Sequence, residues 1–308
     1  MTPFTLALSD DVLFAGLRAG EPLPADVELV EWDLTGPPPR AEIDLVVLPF
    51  DHVHDRLDAL TGVRTRLVQS QSNGYNGVAE ALPPGLRFAN AAGVNDPGTA
   101  ELALALILAA ERALPRYAAA AAAGRWEPGW EGGLADRRAL IIGAGGVGGG
   151  VAARLAPFEV EVTRVARTAR TDDHGRVHAL DALPELLPRA EILVLAVPLT
   201  ADTRGLIDAA ALALLPDGAL VVNVARGPVL DTAALLAELT SGRLRAALDV
   251  TDPEPLPADH PLWTLPNTLI TPHVGGNSDA MTRRMLALIR RQMMLLRAGE
   301  EPVNVVFD

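Results

Sequence analysis

A glycine-rich turn limits what this chain can fold into more than any other stretch does. Gly143, Gly145 and Gly148 follow the apolar residues 139–142 at the spacing G-x-G-x-x-G, and a helical pattern covers residues 151–155. Between a strand and a helix, this spacing gives one glycine for a tight turn, one for close approach of a pyrophosphate and one for helix–strand packing. The amide end of the helix that follows attracts phosphate. The stretch predicts a dinucleotide site, with a merely structural turn as the alternative.

The size and composition indicate a globular protein of about two domains. The chain has 308 residues, of which 49% are hydrophobic and 21% charged. It has no cysteine, and all 26 basic residues are arginine, which excludes a thiol nucleophile, thiolate metal sites and a catalytic lysine. The formal net charge of −13 makes nucleic acids and anionic membranes poor partners.

The sequence favours a cytoplasmic protein. The first eight residues lack the basic flank and long apolar core of a secretory signal. The most apolar run, residues 102–110, is too short to cross a bilayer.

Short apolar segments alternate with helical patterns through the first ninety residues. This alternation predicts a small parallel sheet with helices on both faces. The predicted strands cover residues 5–8, 27–32, 43–50, 65–69 and 86–90, and the predicted helices cover residues 11–19 and 53–60. A helix-start pattern at residues 95–99 leads into a helix predicted to reach residue 114. We therefore expect a substrate domain over residues 1–95, a dinucleotide-binding domain over 96–275, and a segment 276–308 that returns to the first domain.

Two histidines and two carboxylates crowd together in the sequence DHVHD at residues 51–55. If these residues open a helix, His52 and His54 point to different sides and cannot share a ligand. We expect solvated helix-start residues here and no metal site.

Four predicted strands of the second domain end in polar or turn-forming residues. Pro198 follows the strand at residues 192–197, Arg226 follows 219–224, Glu254 follows 245–250, and His273 follows 268–270. Ligands of open parallel sheets bind outside the carboxyl ends of the strands. The arginine, glutamate and histidine are therefore predicted to meet on one rim.

The end of the strand after the glycine turn predicts which dinucleotide is preferred. An acid for the ribose 2′-hydroxyl of NAD is expected there, but Arg167, Thr168 and Arg170 follow residues 160–166 instead. Two arginines and a threonine suit the 2′-phosphate of NADP. A solvated arginine pair is the alternative, and Asp172 and Asp173 stay open as late ribose ligands.

These motifs, in this order, resemble the D-isomer-specific 2-hydroxyacid dehydrogenase family. The matching stretches are residues 143–148, 197–200, 223–227, 249–255 and 271–276. The resemblance implies an α/β fold with a Rossmann-type doubly wound parallel-sheet cofactor domain and a smaller flavodoxin-like α/β substrate domain. It implies hydride transfer between a nicotinamide cofactor and a small 2-keto or D-2-hydroxy acid such as glyoxylate or hydroxypyruvate. It also implies a homodimer through the cofactor domains, and Trp126 and Trp130 suit a subunit contact.

The resemblance also assigns roles to individual residues. His273 would be the acid/base, since imidazole titrates near neutral pH. Glu254 would hold its ring and favour the protonated form. Arg226 would bind the substrate carboxylate in a bidentate contact that lysine makes less well. Asn73 and Gly74 in the polar turn SQSNGYNG would bind the same carboxylate.

The predicted cofactor is NADP(H), with NAD(H) as the second choice. Its predicted contacts are Gly143, Gly145, Gly146, Val147, Gly148, Arg167, Thr168, Arg170, Val197, Pro198, Thr203, Ala225, Asp249, His273 and Gly275. One alternative keeps the fold without turnover: a dinucleotide-sensing binding protein of the corepressor kind. Formate enzymes of this fold carry glutamine before the histidine and no glutamate–histidine pair, so the pair here argues against them.

Overall fold

The computed structural model of this chain describes residues 3–50 and 54–308. The chain separates into unit 1, Met1–Asn95 with Asn277–Asp308, and unit 2, Asp96–Gly276. The strands of the described residues are β1 (Phe4–Leu8), β2 (Val27–Glu31), β3 (Glu42–Val47), β4 (Arg64–Gln69), β5 (Phe88–Ala89), β6 (Arg138–Ile142), β7 (Glu161–Ala166), β8 (Arg170–Asp172), β9 (Gly175–Ala179), β10 (Ile192–Leu195), β11 (Leu220–Asn223), β12 (Arg245–Leu248), β13 (Thr268–Ile270) and β14 (Val305–Phe307). Their α-helices are α1 (Asp11–Ala19), α2 (Val78–Ala81), α3 (Asp96–Glu111), α4 (Leu114–Ala122), α5 (Gly146–Leu155), α6 (Leu183–Leu186), α7 (Ala209–Leu214), α8 (Thr232–Thr240) and α9 (Asp279–Ala298).

Unit 1 is built on a sheet with the strand order β2-β1-β3-β4-β5-β14. Strands β1 to β5 are parallel, and 2-1-3-4-5 is the flavodoxin order, as predicted. The C-terminal strand β14 pairs antiparallel with β5. Helices α1 and α9 bury apolar residues on one face of the sheet, and the short helix at His54–Leu60 does so on the other.

Two glutamines tie the C-terminal segment to the sheet of unit 1. Gln69 on β4 and Gln292 on α9 are both fully buried. The Gln292 side chain donates to Gln69 Oε1 at 2.8 Å and to the Val303 carbonyl at 2.7 Å, and it accepts from the Val303 N–H at 3.0 Å. Because buried amide groups are costly without partners, this network favours one position of α9 on the sheet.

Unit 2 is built on a sheet with the strand order β8-β9-β7-β6-β10-β11-β12-β13. All pairings are parallel except that of β8 with β9. If the edge strand β8 is left out and the strands are numbered along the chain with β6 as strand one, their order in the sheet is 3-2-1-4-5-6, which is the order of the Rossmann fold. Strand β13 is added next to strand six. The direction of winding reverses between β6 and β10, where a ligand crevice is expected.

Side chains of the central strands of unit 2 pack alternately on two cores. Leu140 and Ile142 of β6 lie in the core that includes α7 and α8. Ala139 and Ile141 of the same strand lie in the core that includes α3 and α5. This alternation shows helices on both faces of the sheet, which confirms the predicted doubly wound fold.

Most predicted strands are confirmed with small shifts of their ends, but one predicted helix is wrong at its end and one hairpin was not predicted. The helix predicted to reach residue 114 ends at Glu111, and α4 starts after Ala113, whose φ is +47°. Pro115 has no N–H to continue the α3 ladder but is tolerated in the first turn of a new helix. The β8–β9 hairpin was not predicted, because its sequence is short and polar.

Two further expectations concern the histidine-rich stretch and membrane-spanning helices. Residues 51–53 of the histidine-rich stretch lie outside them. Among the residues that are described, no helix is long and apolar enough to cross a membrane.

Candidate functional site

The glycine turn joins β6 to α5 at the point where the winding of the unit 2 sheet reverses. Gly143 has φ +113°, and a Cβ there would lie 2.2 Å from the Ala196 carbonyl oxygen. A Cβ on Gly148 would lie 1.7 Å from the Gly143 carbonyl oxygen. The backbone therefore requires glycine at both positions, for the tight turn and for the close approach of helix and strand.

Gly145 has room for a side chain, unlike Gly143 and Gly148. A Cβ on Gly145 would meet nothing within 4 Å, and this residue caps α5 without a side-chain hydrogen bond. Gly146 and Val147 form the first turn of α5, and the Asp96 carboxylate lies against Gly146. An open face at Gly145 beside a helix start is the surface that a pyrophosphate needs, so these residues fit a dinucleotide.

The predicted arginines lie beyond the carboxyl end of β7. Arg167 and Thr168 are exposed in the turn after Ala166. Arg170 begins β8 and donates from Nη2 to the Ala144 carbonyl of the glycine turn at 3.0 Å. The structure therefore brings one predicted arginine to the glycine turn itself.

The carboxylate of Asp172, one of the two acids left open as ribose ligands, is hydrogen-bonded within the chain. It accepts two hydrogen bonds from the buried Arg164 guanidinium, at 2.9 and 2.7 Å, and one from the His174 N–H at 2.9 Å. The Arg164 side chain and the His174 amide hold the pKa of Asp172 at about 2, below its ordinary value of 3.8. The other open candidate, Asp173, is exposed.

The ion pair between Arg164 and Asp172 predicts how the stability of unit 2 depends on pH. The pKa of Asp172 is lower in the folded chain than in the unfolded chain, so its contribution to stability is complete above about pH 5 and is lost as the pH falls towards 2. We expect Asp172→Asn to lower the denaturant midpoint by a constant amount above about pH 5, and by a shrinking amount below about pH 4. Urea titrations of both proteins at a series of pH values from about 7 down to about 2 measure this difference. A gap between the midpoints that widens on acidification would contradict the assignment.

Arg226 lies in a turn after β11 that a buried asparagine shapes. Asn223, 1% exposed, accepts from the Ala225 N–H at 3.0 Å and donates to the Arg226 carbonyl at 3.1 Å. Just beyond, a Cβ on Gly227 would lie 1.9 Å from the Thr251 carbonyl oxygen. The turns after β11 and β12 therefore touch here, which brings Arg226 towards the loop that carries Glu254.

His273 and Glu254 form the pair that the sequence predicted. His273 Nδ1 lies 2.5 Å from Glu254 Oε1, and the two side chains are 41% and 39% exposed. Burial alone would raise the pKa of Glu254, but the hydrogen bond and charge of His273 and the charge of Arg226 hold it below its ordinary range. Glu254 is therefore an ionised partner at neutral pH, and the pair uses only one of the two ring nitrogens of His273.

Arg226 and Glu254 interact electrostatically from neighbouring strand ends. Burial lowers the pKa of Arg226, and the Glu254 charge opposes that shift. An arginine stays protonated in proteins even so. The rim therefore combines a half-buried permanent cation with a carboxylate–imidazole pair, which suits an anionic substrate that must gain or lose a proton.

Asp249 organises the loop that presents His273. The carboxylate of Asp249 is buried, and it accepts from the Thr271 hydroxyl at 2.6 Å and from the Val274 and Gly275 N–H groups at 2.9 Å each. The His273 N–H donates to the Asp249 carbonyl at 2.7 Å, and His273 has φ +54°. These bonds hold His273 in the left-handed region, which is uncommon for residues other than glycine.

The loop after β10 borders the same crevice. Thr203 is buried, donates to the Pro198 carbonyl at 2.6 Å and accepts from the Thr200 N–H at 2.8 Å. Thr203 therefore shapes the loop from within. The contacts of Val197, Pro198 and Thr203 with a cofactor stay predictions.

The polar turn of unit 1 that contains Asn73 and Gly74 is held by local hydrogen bonds. The Gly74 N–H donates to Ser72 Oγ at 3.2 Å, and Asn90 Nδ2 donates to the Asn73 carbonyl at 2.9 Å. The predicted substrate contacts of this turn stay predictions.

Sequence reasoning missed the supporting residues of the site. Asn223 lies in the matching stretch 223–227 without a predicted role, and Arg164 lies in a predicted strand without a predicted partner. The available signal was a charged or amide side chain inside an otherwise apolar strand, since such a group needs a buried partner.

Comparisons with known proteins give one consistent result. A model of the NAD-binding domain of D-isomer specific 2-hydroxyacid dehydrogenases matches residues 104–275. The human glyoxylate reductase/hydroxypyruvate reductase is 33% identical over 297 residues, 91% of this chain and 90% of the human protein. A D-isomer specific 2-hydroxyacid dehydrogenase from Xanthobacter autotrophicus Py2, solved with NADPH and MES, has a TM-score of 0.83 and 29% identity over 100% of this chain and 98% of its own. An NADPH-dependent glyoxylate/hydroxypyruvate reductase from Sinorhizobium meliloti, solved with NADP and sulfate, has a TM-score of 0.83 and 25% identity over 99% and 98% of the two chains.

Proposed function

Because this chain belongs to the D-isomer specific 2-hydroxyacid dehydrogenase family, we propose that it is a reductase of small 2-keto acids that prefers NADPH. It is an oxidoreductase with a nicotinamide-binding Rossmann domain. The observation that carries the proposal is the cluster of Arg226, Glu254 and His273 at three neighbouring strand ends. Glyoxylate and hydroxypyruvate are the proposed substrates, because relatives are named for them.

The three residues have distinct proposed roles. Arg226 binds the substrate carboxylate through its planar guanidinium and polarises the adjacent carbonyl. His273 donates a proton to the carbonyl oxygen from the ring nitrogen that does not face Glu254. Glu254 fixes the ring orientation and stabilises the imidazolium form. Asn73 and Gly74 are proposed as further contacts of the substrate carboxylate.

The proposed cofactor contacts follow from the glycine turn and the arginines beyond β7. Gly145 leaves room for the pyrophosphate at the start of α5. Arg167, Thr168 and Arg170 offer two cations and a hydroxyl for a 2′-phosphate, which NADPH carries and NADH lacks. When bound, the nicotinamide supplies the hydride. The proposed contacts at its other end are Val197, Pro198, Thr203, Ala225, Asp249, His273 and Gly275.

The function is tested by cofactor binding and turnover measured together. We expect glyoxylate and hydroxypyruvate each to cause oxidation of NADPH, and NADPH to bind at least about tenfold more tightly than NADH, since charge-assisted contacts contribute ~1.5–3 kcal/mol. Fluorescence titration with both cofactors measures the preference, and the variant Arg167→Ala/Arg170→Ala should lose it. Tight binding of NADPH with no oxidation by any small 2-keto acid would instead support the binding-protein alternative, which the relatives do not favour.

We also propose a homodimer in which a second copy covers the segment around Trp126 and Trp130. These two side chains are 95% and 103% exposed in the single chain, and large exposed aromatic residues often mark interfaces. Light scattering should give twice the chain mass, with a lower mass for Trp126→Ser/Trp130→Ser. The cytoplasmic location expected from the sequence stays a prediction.

A further inference from the structure

The β8–β9 hairpin forms one edge of the unit 2 sheet. β8 is three residues long and pairs with β9 through Arg170, Thr171 and Asp172. A strand this short at a sheet edge gains few backbone hydrogen bonds. The position of β8 therefore depends on contacts made by its side chains.

Arg164 on β7 supplies such contacts. Its side chain is 5% exposed and extends past β9 to both carboxylate oxygens of Asp172, at 2.9 and 2.7 Å. It also donates to the Gly175 carbonyl at 3.1 Å, and the His174 N–H donates to Asp172 at 2.9 Å. The turn between β8 and β9 is thus fixed at both ends to a buried guanidinium of a neighbouring strand.

Arg170 links this hairpin to the glycine turn. It lies two residues before Asp172, so both side chains leave the same face of β8. Its Nη2 donates to the Ala144 carbonyl at 3.0 Å. Arg164 therefore holds the strand from which Arg170 reaches the proposed dinucleotide site.

We propose that the Arg164–Asp172 ion pair is a positioning and specificity element for NADPH. The pair holds Arg170 beside the glycine turn, where its guanidinium meets a 2′-phosphate. It also occupies both oxygens of Asp172, an acid that could otherwise accept a hydrogen bond from a ribose 2′-hydroxyl and favour NADH. Both effects act in the same direction. The inference rests on the proposed preference for NADPH.

The test compares the affinities of wild type, Asp172→Asn and Arg164→Lys for both cofactors. Asp172→Asn keeps the size of the side chain and removes its charge, whereas Arg164→Lys keeps a charge and loses the bidentate geometry. We expect each variant to weaken NADPH binding by about tenfold or more, since charge-assisted contacts are lost. The dissociation constant of NADH should change by less than about twofold in Asp172→Asn, whereas Arg164→Lys, which loosens the hold on the Asp172 carboxylate, should lower it. Thermal melts identify any variant that fails to fold, and the other variant then carries the test.

A matched control and a double variant separate positioning from general stabilisation. Arg176→Gln changes an exposed arginine of the same hairpin, one residue from Val177 and so on the opposite face to Arg170, and it should leave the cofactor ratio unchanged. Adding Asp172→Asn to Arg170→Ala should cause little further loss of NADPH affinity, because both changes act on the same contact, that of Arg170 with the 2′-phosphate.

Three results would overturn the inference. If Asp172→Asn and Arg164→Lys keep the wild-type ratio while Arg170→Ala loses it, the ion pair plays no part, and the proposed NADPH preference stands. If both variants weaken NADPH and NADH equally, the pair only stabilises the hairpin. If wild type itself does not prefer NADPH, the cofactor proposal and this inference are both wrong.

Discussion

The variant His273→Asn is expected to reduce the turnover number for 2-keto acids by about 10²- to 10⁴-fold, the range that a positioned general acid contributes. Asparagine tolerates the left-handed backbone conformation that His273 adopts at φ +54°, so the loop should keep its shape. NADPH affinity should fall far less than the turnover number, because His273 is one of several proposed cofactor contacts and most of the loss falls on the chemical step. Steady-state kinetics with glyoxylate and titration with NADPH measure the two quantities.

A second histidine of unit 2 provides the control for this variant. His260 begins a short helix and accepts from the Leu262 N–H at 3.3 Å through Nδ1, a role that asparagine also fills. His260→Asn should therefore keep wild-type kinetics. If His273→Asn retains more than about a tenth of the wild-type turnover number, His273 is not the general acid.

Alanine substitutions at Gly148, Gly145 and Gly149 are expected to have three different effects on stability and NADPH affinity. Gly148→Ala should destabilise the protein by about 3 kcal/mol or more, because its Cβ would lie 1.7 Å from a backbone oxygen that cannot move freely. Gly145→Ala should lower the stability by no more than about 1 kcal/mol, since alanine is a poorer N-cap than glycine. It should lose most NADPH affinity, because its Cβ enters open space that the pyrophosphate needs. Denaturant unfolding and NADPH titration separate the two effects.

Gly149→Ala is the matched control in the same helix. A Cβ there meets nothing within 4 Å, and alanine is favoured over glycine inside a helix by about 0.5–1 kcal/mol. This variant should be slightly more stable than wild type and should bind NADPH normally. Unchanged NADPH affinity in Gly145→Ala would count against the proposed phosphate site.

The sequence predicted much of the fold because its strongest signals are local. Residues 139–155 contain the strand, the turn and the helix in one run, and steric limits on a few adjacent residues decide that geometry. The polar strand ends at Arg226, Glu254 and His273 were predicted in the same way, since ligands meet the carboxyl ends of parallel strands. The pairing of His273 with Glu254 agrees with that expectation.

Other features depend on residues that are distant in the chain. The partner of Asp172 is Arg164, on a strand separated from β8 by β9, and polar side chains alone do not identify such a pair. The carboxylate of Asp249 accepts hydrogen bonds from three groups of the His273 loop. The sequence had predicted only a contact of Asp249 with the cofactor.

The amino-acid sequence by itself determined the glycine turn, the alternation of strands and helices, and the chemical groups at the strand ends, because each is a property of neighbouring residues. Only the tertiary structure decided how the rim is divided: the arginine, the glutamate and the histidine follow strands on the β10 side of the sheet, and the cofactor arginines follow a strand on the β6 side. The strand order β7-β6-β10-β11-β12-β13 sets that division, and strand order arises from packing between distant segments.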